Sequence, residues 1–132
     1  MIHIQTKLKI KDNTGVKIGQ CIKIYKKPVG TIGDIILISV KNLRLNKNKR
    51  KKIKITKGNL LKALIIQTKY SVKNTIGNYI KFDNNSAIIL NNQNKFMGTR
   101  ILGPITSEFK KKNNLKFFLY LLIFYNKNEL YI

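Results

Sequence analysis

The sequence predicts a mainly β protein, a small barrel of short strands followed by a helical C-terminal section. Three observations carry this. Apolar and polar residues alternate with period two through the first two thirds of the chain, Gly/Asn/Asp clusters interrupt the alternation at short intervals, and the pattern changes after Gly103.

The elements follow in order. "KLKIK" at 7–11 sets Leu8 and Ile10 on one face and three lysines on the other, as in a half-buried strand. "GQCIKIY" at 19–25 repeats the alternation, with Cys21 and Lys23 on one face and Ile22 and Ile24 on the other. "DIILISV" at 34–40 and "LLKALIIQT" at 60–68 are more continuously apolar, as expected of strands covered on both faces. "NYIKF" at 78–82 and "SAIILN" at 86–91 complete the series. Turn signals separate these strands: Asp12-Asn13-Thr14-Gly15, Pro28-Val29-Gly30, Gly33-Asp34, Lys57-Gly58-Asn59 and Asp83-Asn84-Asn85-Ser86. Pro104 suits a first helical turn and Glu108 its positive end, so "PITSEFKKK" predicts a short helix. A second helix is expected over "LKFFLYLLIFY" at 115–125, packing across an open face of the barrel or, as the alternative, docking another protein through its aromatic residues, with "NKNELYI" as a tail. No repeat or linker divides the chain. One domain over 1–132 is expected, with the barrel at about 1–103 and the helical section and tail at about 104–132.

Lys+Arg 27 against Asp+Glu 5 gives a formal charge of +22 in 132 residues. Such a charge repels itself unless a polyanion neutralises it. A hydrophobic content of 43% is too high for a disordered basic tail, so the charge decorates a folded scaffold. Nucleic acid is the first candidate partner and an anionic membrane surface the second. Insertion into a membrane is not expected, because the longest apolar stretch falls well short of the roughly 18–20 residues that span a bilayer. Cys21 is the single cysteine and His3 the single histidine, which rules out an intrachain disulfide and a four-ligand Cys/His zinc site. Lys 24, Ile 22 and Asn 16 occupy nearly half the chain while Ala occurs twice, a usage that follows A/T-rich codons. The N-terminus does not read as a signal or transit peptide. Together these predict an organelle-encoded, mitochondrial protein, with a plastid or an A/T-rich bacterium as alternatives.

The five acids, Asp12, Asp34, Asp83, Glu108 and Glu129, stand singly, and no pair or triad of titratable groups is evident. No enzymatic mechanism, metal or other cofactor is expected. Cys21 reads as a small core residue and His3 as a surface one. The chemistry present is cationic. "KNLRLNKNKRKKIK" at 41–54 carries Lys41, Arg44, Lys47, Lys49, Arg50, Lys51, Lys52 and Lys54, and Lys57 follows. Its structural alternative is a solvated loop. Eight like charges so close gain more by shedding their repulsion onto phosphates with release of counterions. The run has no aromatic interleaving, so it predicts positioning on a phosphate backbone rather than stacking on bases.

Several blocks resemble, in order, the family of large-subunit ribosomal protein L-fourteen. They are "QTKLKIKDNTGV" at 5–16, "CIKI" at 21–24, "GDIILISVK" at 33–41, "KGNLLKALIIQTK" at 57–69, "IKFDNNSAIILNN" at 80–92 and "MGTRILGPIT" at 97–106. The resemblance extends over about residues 1 to 118. Ile76 and Ile88 replace a small polar residue and a Val of the family pattern. The 41–54 stretch is longer than the bacterial form and lacks its Pro, and the end beyond about 119 departs from the family.

The resemblance implies a five-stranded barrel with a C-terminal helical section, a structural rRNA-binding constituent of the large ribosomal subunit. It further implies a place on the intersubunit face opposite small-subunit rRNA, with ribosomal proteins L-three and L-nineteen as neighbours. Thr99, Arg100 and Lys116 match family positions that bind a ribosome silencing factor. A translational-control docking module acting through these three residues is therefore the alternative to an RNA-holding role. A free DNA-binding or membrane-surface protein is the third reading.

Overall fold

The computed structural model describes residues 1–44, 55–74, 76–98 and 101–106. Its strands are β1 (Lys7–Ile10), β2 (Val16–Ile24), β3 (Ile35–Leu43), β4 (Leu60–Gln67), β5 (Val72–Lys73), β6 (Tyr79–Ile80) and β7 (Ser86–Leu90). Five of them close a barrel in the order β1-β2-β3-β4-β7, and β5-β6 form a separate two-stranded hairpin. Closure is made by parallel pairing of β1 with β7, a ladder of only two residue pairs, Lys9 with Ser86 and Ile10 with Ala87. The five-stranded barrel is as expected.

Alternation explains the barrel interior. Leu8, Ile10, Val16, Cys21, Ile36, Ile38, Val40, Ala63, Ile65, Ala87 and Ile89 all point inward and, with Ile2, form one buried cluster. Residues of opposite size face each other across the β4–β7 ladder: Ala63 opposes Ile89, and Ala87 opposes Ile65. Large against small at both levels lets the layers interdigitate in a narrow barrel.

The runs in β4 and β7 are continuously apolar because a second core lies outside the barrel wall. Leu64 and Ile66 of β4 and Ile88 and Leu90 of β7 face outward, under Ile32, Ile101 and Ile105 with Val72, Phe82 and Phe96 against them. Coverage of β4 on both faces is as the sequence predicts. In β3 the inner face is sealed by Ile36, Ile38 and Val40, while the outer face is covered in part: Ile35 packs against the outer core and Leu37 is half-buried.

Three further expectations are corrected. In β2 the inner face carries Cys21 and then Ile24, while Ile22 and Lys23 are both exposed. The cause is a bulge: Cys21 pairs with Ile38 and Lys23 with Leu37, which leaves Ile22 without a partner and reverses the phase of the alternation. "NYIKF" is not a barrel strand, since only Tyr79–Ile80 pair, and they pair with Val72–Lys73. Finally, Pro104, Ile105 and Thr106 are not helical. Tertiary contacts override the local signal there: the Gln67 side-chain amide donates to the Pro104 carbonyl at 2.8 Å and Ile105 is buried in the outer core. The rest of the predicted helical section, 107–132, lies outside the described residues, and no helix occurs among those described.

Candidate nucleic-acid interface

The outward face of β1 is a row of lysines, because its inward positions Leu8 and Ile10 are committed to the core. Beside this row, Lys9, Lys11, Lys17 and Arg44 line a cleft of about 430 Å³ with Ile10, Ile18 and Leu43. No acid lines it. Bulges shape this side of the barrel. In the β2–β3 register Val16 pairs with Leu43, Ile18 with Asn42 and Gly19 with Val40, so Lys17 and Lys41 are each extra residues without a partner across the ladder. A bulge bends its strand and re-aims the side chain it carries, which here frees two cations from the regular pleat. Arg44 is held at the mouth by its backbone N–H, which donates to Gly15 O at 2.7 Å.

The long basic stretch has its roots here. Leu43 on one side and Ile55 on the other pack against the interior cluster, and the Gly58 N–H bonds Val40 O at 2.9 Å. Of the residues singled out from sequence, Lys41, Arg44 and Lys57 are placed, and all three are exposed. Arg44 alone of them joins the cleft. Lys47, Lys49, Arg50, Lys51, Lys52 and Lys54 lie outside the described residues, as do Thr99, Arg100 and Lys116.

The segment flanking Thr99 and Arg100 straps the seam between β1 and β7. After β7, Asn91 turns the chain by accepting bonds from the backbone N–H groups of Gln93 and Lys95, each at 2.9 Å, and Met97 N–H then bonds Ile89 O at 3.2 Å. Gly98 follows, so close to the β1–β2 turn that a Cβ there would lie 2.8 Å from Asn13 Oδ1 and 3.2 Å from Asp12 Cβ. Ile101 bridges Asp12, and Leu102 N–H donates to Lys11 O at 2.8 Å. The requirement for a glycine in "MGTRILGP" at this point is one of space.

Asp12 organises the junction. It is 2% exposed; Oδ1 accepts from the Thr14 N–H at 3.1 Å and from the Thr14 hydroxyl, and Oδ2 accepts from the Ile89 N–H at 2.8 Å. Burial pushes its carboxyl above the ordinary range, against the opposing pull of these bonds and of the Arg44 charge. Asp34, by contrast, closes an ordinary turn, accepting from Thr31 N–H and hydroxyl at 2.8 and 3.0 Å. Its contact with Lys27 at 3.3 Å is the one ion pair among the described residues. Cys21 is buried in the barrel, and burial raises its thiol pKa, which suits a core residue. Among the described residues no group of three or more His, Cys, Asp or Glu could hold a metal.

The model of one protein family, ribosomal protein L14p/L23e, matches residues 1–120. The chain belongs to that family. The resemblance carried by the sequence blocks is thereby established, and with it a role as a structural, non-enzymatic constituent of the large ribosomal subunit. In this L14p/L23e chain, sequence reasoning did not single out Lys9, Lys11 and Lys17, which line the cleft. For Lys9 and Lys11 the signal was present in the alternating lysines of "KLKIK", which had to face away from the core once Leu8 and Ile10 faced it; Lys17 is set by a bulge, which the sequence does not mark.

Proposed function

We propose that the protein holds large-subunit rRNA by its phosphate backbone, through the Lys9/Lys11/Lys17/Arg44 cleft and through the cations of the 41–54 stretch. The observation that carries this is the cleft itself: four cations around one depression whose lining includes no acid. Cations so placed gain from phosphate through counterion release, and a rigid barrel presents them without an ordering cost. The contacts position RNA rather than read its bases. The family membership supports the choice of rRNA over other polyanions.

The finer roles follow from the resemblance. The strapped segment around Thr99 and Arg100, with Lys116, would face the small subunit's rRNA and a silencing factor, beside ribosomal proteins L-three and L-nineteen. The Lys/Ile/Asn-rich composition supports a mitochondrial ribosome. We also propose that 1–132 forms one domain.

Replacement of Lys9, Lys11 and Lys17 together by Gln tests the cleft. Binding of the full chain to a large-subunit rRNA duplex should lose about 2 to 3 units of its log K against log salt slope, at about 0.9 per phosphate contact. An unchanged slope would remove the cleft from the interface. Reversal of Lys49, Arg50, Lys51 and Lys52 to Glu should in turn block incorporation into large subunits in a sedimentation profile; normal incorporation would sink the role of that stretch.

A further inference from the structure

The β5–β6 hairpin is a second surface that the phosphate reading leaves unused. Its inner side is committed: Val72 and Phe82 pack in the outer core. A two-stranded hairpin is marginal by itself, and this anchoring holds it in shape. Its backbone is closed by Asn74 N–H to Asn78 O at 2.6 Å, Gly77 N–H to Asn74 O at 3.0 Å and Phe82 N–H to Thr68 O at 3.1 Å. Lys69 N–H is tied to Asn85 Oδ1 at 2.9 Å.

The outer side is apolar and basic together. Tyr79 lies directly opposite Lys73, and Lys81, just past the end of the strand, is exposed as well. Tyr79 is 69% exposed, Tyr70 56% and Ile76, beside the turn, 80%. One exposed tyrosine would need no explanation. Three exposed large apolar side chains within ten positions, interspersed with exposed Lys69, Lys73 and Lys81, form a pattern. From 69 to 83 the one acid is Asp83.

We propose that this face is a stacking platform for an unpaired RNA nucleotide, with Tyr79 beneath the base and Lys73 and Lys81 on the flanking phosphates. The proposal rests on the reading of the protein as RNA-binding, and adds to it a different chemistry. Side chains directly opposite on paired strands stand about 5 Å apart, so a base over the Tyr79 ring brings its phosphates within reach of the lysines. An apolar protein partner fits the face less well, because it would strip water from both ammonium groups and return no counter-charge. The hairpin is ordered beforehand, so stacking costs little rearrangement.

Stacking and charge contacts differ in salt dependence, and that difference is the test. The full chain is titrated with an unstructured single-stranded RNA and with an RNA duplex at several salt concentrations. Tyr79→Ala should weaken single-strand binding by roughly tenfold, by the same factor at every salt concentration, and leave duplex binding within about twofold. Tyr79→Phe should restore it, since the ring face remains. Equal losses on both RNAs, or none on the single strand, would overturn the proposal. So would a Tyr79→Ala variant that keeps RNA affinity but loses a ribosomal-protein neighbour, which would make the face a protein contact. The cleft reading stands or falls separately, on the duplex slope of the Lys9/Lys11/Lys17 variant.

Discussion

Asp12→Ala is expected to lower the free energy of unfolding by about 3 kcal/mol, measured as a shifted urea midpoint. The substitution removes the acceptor for the Ile89 N–H, a buried group in the barrel wall, and both acceptor contacts of Thr14. A buried donor left unpaired costs its full desolvation, and bonds to a charged acceptor are the stronger kind. Asp12→Asn should cost less, since it keeps the volume and one acceptor oxygen. The pair also tests the pH dependence. Burial raises the folded-state pKa of Asp12 above its unfolded value. The folded state therefore holds this proton more tightly, and the contribution to stability is full below the unfolded pKa and lost as pH rises through the folded one. The stability of the wild type minus that of Asp12→Asn should accordingly grow as pH falls from neutral toward about 4. Taking the difference cancels the self-repulsion common to both chains. A difference that shrinks with acidification would mean that the hydrogen bonds, rather than burial, dominate this carboxylate. Loss of Asp12 also loosens the turn on which Gly98 and Ile101 rest, so the strap would lose its seat together with the barrel wall.

Ile89→Ala should cost roughly 2–5 kcal/mol, since Ile89 is fully buried and a close-packed barrel collapses poorly around a void. The informative experiment is the exchange with its cross-strand partner. Ala63→Ile alone overpacks the interior and should also destabilise, by about 1–3 kcal/mol. Combined with Ile89→Ala it restores one large and one small side chain to the same layer, so the double variant should be more stable than the sum of the singles predicts by about 1 kcal/mol or more. Strict additivity in denaturant titrations would show that the pair does not share a layer, and would count against large–small complementarity as the packing rule.

Much of this architecture was legible in the chain. The alternation in "KLKIK" assigned both the core face and the lysine face of β1, and the apolar continuity of "LLKALIIQT" announced a strand covered on two sides. Legibility failed at bulges and at tertiary overrides. The extra residue Ile22 reversed the face of everything after it, and an exposed Ile22 beside a buried Cys21 is the reverse of what hydrophobicity alone suggests. The signal at Pro104 was helical, yet Gln67 and the outer core hold that backbone out of a helix. At the candidate site, the sequence drew attention to the densest charge at 41–54, whereas the cleft is assembled from sparser cations on β1, β2 and the end of β3.

The sequence by itself determined the charge, the scarcity of acids, the strand-and-turn rhythm and the family. These are local or compositional properties, and a linear pattern records them in full. Only the tertiary structure decided which residues meet. It set Asp12 beneath Ile89, 77 positions away, and seated Gly98 on the β1–β2 turn. It also gave the chain's two alanines their purpose: counted as a scarcity in the composition, Ala63 and Ala87 both stand inside the barrel, each facing an isoleucine. The physical reason is closure. Once five strands share one interior, the volume available at each position depends on a side chain from another strand, which periodicity along the chain does not encode.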